Sequence, residues 1–139
     1  MPTRPYFAYG MNQDLAEMRE RCPDAVCHGV ADLADHRFQI HRRGVATVVP
    51  VAGSVVCGVL WTLGQTDEQA LDRFEGVRAG FYRKLIVTVG RAKVALIYVA
   101  TDEVPGQPRP GCLEAVIAAG RSHGLPDGYV AELLQWRTR

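Results

Sequence analysis

The stretch that most constrains the fold is PYFAYGMNQDLAEMRERCPDA, residues 5–25. Residues 5–9 read as a short apolar strand that stops at Gly10. Asp14, followed three positions later by Glu17, then forms a capping box for a helix that runs to about Cys22, where Pro23 ends it. A strand that passes through glycine into a capped helix presents backbone N–H groups at the positive end of a dipole, where a carboxylate can bind. From geometry alone the simpler reading of the same residues is a plain tight turn at Gly10 and a local cap at Asn12.

The rest of the chain repeats neither this unit nor any other. Between Ala25 and Leu63, the β-rich stretches AVCHGVADL, HRFQIH, VATVV and SVVCGVLWTL are broken by Gly, Pro and Asp, a spacing that predicts a meander or small barrel. Thr66, with Gln69 three later, predicts the cap of a second helix that carries Leu71 and Phe74 on one face and ends at EGV. FYRKLIVTV and KVALIYVA, joined by GRA, predict an antiparallel pair. A Pro-rich loop, PGQPRP, leads to two helical segments, about 111–123 and 126–137, split by GLP. The fold class is α+β in mixed order, and without a linker residues 1–139 read as one domain.

Charge excludes some partners. Sixteen Lys and Arg against fifteen Asp and Glu leave a formal charge of +1, which argues against a nucleic-acid or anionic-membrane partner. No apolar run approaches the length of a membrane span and the first residues lack a signal-peptide layout, so a cytoplasmic location is expected. In that compartment Cys22, Cys27, Cys57 and Cys112 remain thiols. A zinc set of Cys22, Cys27 and His28 lacks its second half. His28, His36, His41 and His123 read as surface residues of strands and helices. GxSxG, HExxH, Walker and GxGxxG motifs are absent. An enzyme of this sequence is expected to work without a metal, a nucleotide cofactor or a protein nucleophile.

Glu75 is the one acidic candidate for chemistry. It follows Phe74 at the end of its helix and precedes Gly76, so its carboxylate faces the negative pole of the macrodipole. Burial beside Phe74 or Tyr82 would raise its pKa further, into the range of a general acid/base. The competing reading is a solvated glutamate at a frayed helix end.

YFAYGMN, GVLWTL, LDRFEGVRAGFYRK and GLPDGYVAELL, in that order along nearly the whole chain, resemble the γ-glutamylcyclotransferases, a group that includes γ-glutamylamine cyclotransferases and AIG2-like proteins. The resemblance implies a small mixed β-barrel flanked by helices, and an enzyme that cyclises γ-glutamyl compounds to 5-oxoproline with release of the amine. In such a substrate the α-amine attacks the γ-carbonyl, so the nucleophile arrives with the substrate and no cofactor is called for. The resemblance assigns Glu75 as the acid/base and the loop Tyr9, Gly10, Met11 and Asn12 as the clamp on the glutamyl group. It places Tyr82, Tyr98 and Cys112 around the pocket. Two positions depart from the family pattern: Met11 where the loop usually has serine, and Cys112 where a tyrosine is usual. For Tyr82 and Tyr98 ordinary core packing is the competing reading, and for Cys112 a packing role at a helix start. The expected partner is a small-molecule γ-glutamyl substrate, on a monomer or a homodimer. Competing classes are a hydrolase or an amine-deprotecting biosynthetic cyclotransferase on the same scaffold, and a non-catalytic module that binds a γ-glutamyl or carboxylate ligand.

Overall fold

The computed structural model describes residues 2–138. Five strands, β1 (Thr3–Ala8), β2 (Val26–Ile40), β3 (Ala46–Gly64), β4 (Tyr82–Val89) and β5 (Lys93–Ala100), form one sheet in the order β2-β3-β1-β5-β4. β1 is central because it is apolar on both faces: Tyr6, Phe7 and Ala8 are all buried in succession. It pairs parallel with β5 and antiparallel with β3, and Tyr6 stands between Trp61 and Leu96. The other strand pairs are antiparallel.

Side-chain alternation makes β1 the partition between two cores. Phe7 and Tyr9 face a cluster completed by Leu113, Val116 and Ile117 of α3 (Cys112–Ser122) and by Val130 and Leu133 of α4 (Asp127–Leu134). Tyr6 and Ala8 face a smaller cluster with Met18 of α1 (Leu15–Arg21) and Leu71 of α2 (Gln65–Phe74). The capping box forms as expected, with the Glu17 N–H donating to Asp14 Oδ2 at 3.0 Å.

Four expectations are corrected. The four β-rich stretches between Ala25 and Leu63 are two long strands of one hairpin, because most of the breakers are bulges rather than turns. Register shifts fall between Cys27 and Gly29 and between Ala34 and His36. Asp35 takes φ 59° and its carboxylate accepts the Gly53 N–H at 2.9 Å, which kinks both strands without separating them. The Gly90 N–H donates to the Asp32 carbonyl at 2.8 Å, so the β4–β5 turn docks on β2 and curls the sheet into a small barrel. In α2, Gly64 rather than Thr66 is the N-cap and no side chain closes it; Asp67 and Glu68 in the first turn complement the positive helix end. Phe74 leaves the core and is 49 % exposed, with the Arg21 guanidinium 3.7 Å over its ring.

His41 is not a surface residue. It is fully buried, and its Nε2 donates to Asp102 Oδ1 at 2.7 Å while Nδ1 accepts the Arg43 N–H at 3.2 Å. This ties the β2–β3 turn to the Pro-rich loop. The two segments are also joined by Arg42 N–H to Val104 C=O (2.8 Å), Gly106 N–H to Ile40 C=O (2.9 Å) and Arg109 N–H to Gly44 C=O (3.0 Å). Among the described residues, no helix is long and apolar enough to cross a membrane.

Candidate active site

Where β1 ends, Gln13 N–H and Asp14 N–H fold back onto the carbonyls of Gly10 and Met11 and turn the chain into α1. The Gln13 side-chain amide holds the Tyr9 and Gly10 carbonyls at 2.9 and 3.0 Å, and His123 Nε2 reaches the Gln13 carbonyl at 2.6 Å. The corner is thus fixed from behind. Its front lines a cavity of about 470 Å³.

Glu75 enters this cavity from the C-terminal end of α2. The tight reversal after it needs glycine: Gly76 has φ 64°, and a Cβ there would fall 2.6 Å from the Phe81 ring. Asn12, itself buried, donates from Nδ2 to Glu75 Oε1 at 3.3 Å and to the Tyr6 hydroxyl at 2.9 Å, while its Oδ1 accepts from Arg21 at 2.5 Å. Burial pushes the Glu75 carboxyl up to about 7, against the charge of Arg21 and the Asn12 hydrogen bond. The group can therefore hold or release a proton near neutrality.

All eight residues singled out from the sequence line this one cavity: Tyr9, Gly10, Met11, Asn12, Glu75, Tyr82, Tyr98 and Cys112. Their side chains play unequal parts. The Tyr9 hydroxyl donates to the Tyr98 carbonyl (2.5 Å), that of Tyr82 to the Ala46 carbonyl (2.6 Å) and that of Tyr98 to Asp72 Oδ1 (2.6 Å). These tyrosines line the cavity with their hydroxyls spent on the protein. Gly10 has φ −117°, outside the left-handed region, and a Cβ there would rest 3.5 Å from that of Ala46. Cys112, the first residue of α3, has a thiol pKa raised chiefly by burial, with Arg109 opposing, which disfavours a reactive thiolate.

Cys22, Cys27 and His28 are not gathered. The Cys22 thiol is 3.5 Å from the Asp67 carbonyl and His28 Nε2 is 2.5 Å from the Thr62 hydroxyl. Among the described residues no three potential metal ligands cluster.

Sequence reasoning missed Tyr6, Arg43, Phe81 and Arg109, which also line the cavity. Tyr6, three residues before Tyr9, belongs to the opposite face of β1, so strand alternation gave no signal that both meet one cavity. Arg43 and Arg109 had no local signal, because the pairing of two distant loops brings them here.

The AIG2-like family matches residues 55–133 of the chain. The γ-glutamylcyclotransferase of Bos taurus is 30% identical over 142 residues, covering 92% of this chain and 76% of that protein, and the Homo sapiens protein of the same name is 29% identical over the same shares. A solved structure titled γ-glutamyl cyclotransferase superposes with a TM-score of 0.90 at 26% identity, over 99% of this chain and 90% of its own.

Proposed function

The chain belongs to the AIG2-like γ-glutamylcyclotransferase family and is an enzyme of that type, and from that premise we propose that it cyclises a γ-glutamyl amide to 5-oxoproline with Glu75 as the general acid/base. The observation that carries the assignment is a carboxyl poised at about 7 in a cavity walled by the Tyr9–Asn12 corner.

The α-ammonium of the glutamyl group gives a proton to the Glu75 carboxylate, and the freed amine attacks the γ-carbonyl. A C–N bond forms, the original amide C–N bond breaks, and Glu75 gives the proton to the departing nitrogen; its carboxylate then takes the second proton from the newly bonded nitrogen, which leaves a neutral lactam, and passes it to the released amine, which departs as an ammonium. A group whose pKa lies near the working pH is suited to both transfers. Holding the glutamyl chain in the attack conformation supplies the rest, since intramolecular proximity is worth on the order of 7–11 kcal/mol in favourable cases. The backbone of Gly10 and Met11 holds the glutamyl group in this reading. Asn12 acts on Glu75, fixing one carboxylate oxygen and leaving the other for substrate.

Product identity tests the reading. A γ-glutamyl compound must yield 5-oxoproline, and acetylation of its α-amine must abolish turnover while the blocked compound still competes for the site. Glutamate as the direct product, or turnover of the acetylated compound, would establish hydrolysis by water instead.

A further inference from the structure

Tyr6, Tyr9, Tyr82 and Tyr98 all line the cavity, and their hydroxyl protons are not disposed alike. Those of Tyr9, Tyr82 and Tyr98 are given to a carbonyl or a carboxylate of the protein. The Tyr6 hydroxyl accepts from Asn12 Nδ2 at 2.9 Å, and among the described residues no group accepts its own proton. That oxygen is placed with little freedom. Tyr6 is 3% exposed, its main chain stands between Trp61 and Leu96, and its ring meets that of Tyr98 edge-on at 5.8 Å. Asn12 Nδ2 also donates to Glu75 Oε1, so the hydroxyl and the carboxyl are gathered by one nitrogen. A hydroxyl that accepts a hydrogen bond becomes a stronger donor. Burial, with the charge of Glu75 adding to it, pushes the Tyr6 pKa far above the ordinary phenol value, so the group keeps its proton at neutral pH.

The reaction indicates what this donor meets. In the tetrahedral intermediate the attacking and the departing nitrogen are both bonded to the γ-carbon, and both must reach Glu75. The γ-oxygen is on the same carbon, which keeps it beside the carboxyl and its neighbours. Timing separates it from the other acceptor that the substrate offers, the glutamyl α-carboxylate. That carboxylate is negative while Glu75 is still ionised, so placing it here would set like charges together in a buried site. The γ-oxygen becomes negative only after Glu75 has been neutralised by the proton it takes. A neutral donor held beside Glu75 therefore interacts more strongly with the intermediate than with the substrate, which is what acceleration requires.

We infer that the Tyr6 hydroxyl is a further catalytic donor, which holds the negative γ-oxygen of the tetrahedral intermediate and keeps its own proton throughout. This role rests on the cyclisation reading for its nucleophile but not for its test. Rates are measured for wild type and for Tyr6→Phe, which keeps the ring, on γ-glutamyl-alanine and on the analogue with sulfur in place of the γ-oxygen. Sulfur is a weak hydrogen-bond acceptor. Tyr6→Phe is expected to lower kcat on the oxygen compound by about 10²–10³-fold, the cost of removing one oxyanion donor, with KM changed by less than about threefold. The oxygen-to-sulfur rate ratio of wild type should fall by about tenfold or more in the variant. Equal losses on both compounds, with or without a shifted pH–rate profile, would make Tyr6 a support for Asn12 and Glu75 and overturn the donor. A raised KM at unchanged kcat would put the α-carboxylate at Tyr6 and overturn it too. Glutamate in place of 5-oxoproline would defeat cyclisation alone, because water attack on the γ-carbonyl creates the same oxyanion and the ratio still reads it. If neither compound turns over, calorimetry decides, with 2-amino-4-phosphonobutanoate, which carries a tetrahedral anionic phosphorus in place of the γ-carbonyl carbon, compared with glutamate. Binding of the phosphonate to wild type about tenfold tighter than to Tyr6→Phe, with glutamate bound alike by both, supports the donor. Equal binding of the phosphonate, or none, overturns it.

Discussion

On the cavity wall that carries Glu75, polar side chains are tied to the protein: Asn12 to Glu75, Tyr6 and Arg21, Tyr9 to the Tyr98 carbonyl, Tyr98 to Asp72. On the wall that carries Arg43 and Arg109, main chain is tied to main chain and the guanidinium groups keep free donors. The first wall comes from β1 and the end of α2; the second comes from two loops with no regular structure of their own. A group proposed to transfer protons needs a fixed environment for its pKa to hold, and the first wall supplies that environment through side chains.

The largest expected effect is on the first wall. Glu75→Gln preserves shape but removes proton transfer, which is usually worth about 10²–10⁴ in rate. A variant within a few fold of wild-type turnover would remove Glu75 from the mechanism and leave the contrast without its chemical half.

Next comes the second wall. Gly44 has φ 83°, and a Cβ would meet Arg109 Cγ at 2.5 Å and the Arg109 nitrogen at 2.9 Å. Gly44→Ala is expected to cost about 1–3 kcal/mol of stability and to leave turnover per folded molecule within a few fold of wild type. Denaturant midpoints and kcat/KM report both. A wild-type midpoint would mean that the loop junction accommodates a Cβ without cost.

The raised Glu75 pKa sharpens the comparison through stability. Between the ordinary carboxyl value of 4.5 and about 7, the folded protein holds a proton that the unfolded chain has released. Stability from this group is therefore fully present below pH 4.5 and is lost as the pH rises through 7. Glu75→Gln should be more stable than wild type at pH 8, by on the order of 1–3 kcal/mol, with the difference vanishing near pH 4. Equal urea midpoints at both pH values would mean the carboxylate is not desolvated.

Cys112→Ala carries the smallest expectation. With its thiol pKa raised and the nucleophile supplied by substrate, turnover should stay within about threefold of wild type. Abolished turnover in a folded alanine variant would replace intramolecular cyclisation with covalent catalysis.

The two walls also differ in what the sequence discloses. Local signals marked the first as a candidate, through the capped helix at Asp14, the glycine corner and the Glu75–Gly76 helix end, but left a plain turn and a solvated glutamate open; the family resemblance chose between them. The second wall depends on residues 41–44 meeting residues 102–109, a contact without local periodicity. Buried His41 is the clearest case, since its role follows from Asp102 and not from its neighbours in sequence. The hairpin was misread for a related reason: Gly29, Asp35 and Gly53 signal turns locally, but the barrel uses them as bulges. Arg21 shows a third limit, since capping and spacing account for its helix but not for its contact with Asn12.

The place of β1 bears on how the protein reaches its folded state. Tyr6 pairs with Trp61 on one side and Leu96 on the other. The strand that leads into the Tyr9–Asn12 corner therefore closes on partners far along the chain, and loop-closure entropy is lost before those pairings stabilise anything. The hairpins β2–β3 and β4–β5 are local and can form early, but neither contains the Tyr9–Asn12 corner. Substitutions in β1 such as Phe7→Ala should consequently slow refolding more than equally destabilising ones within either hairpin, and the cavity should emerge only with the final, rate-limiting docking of β1.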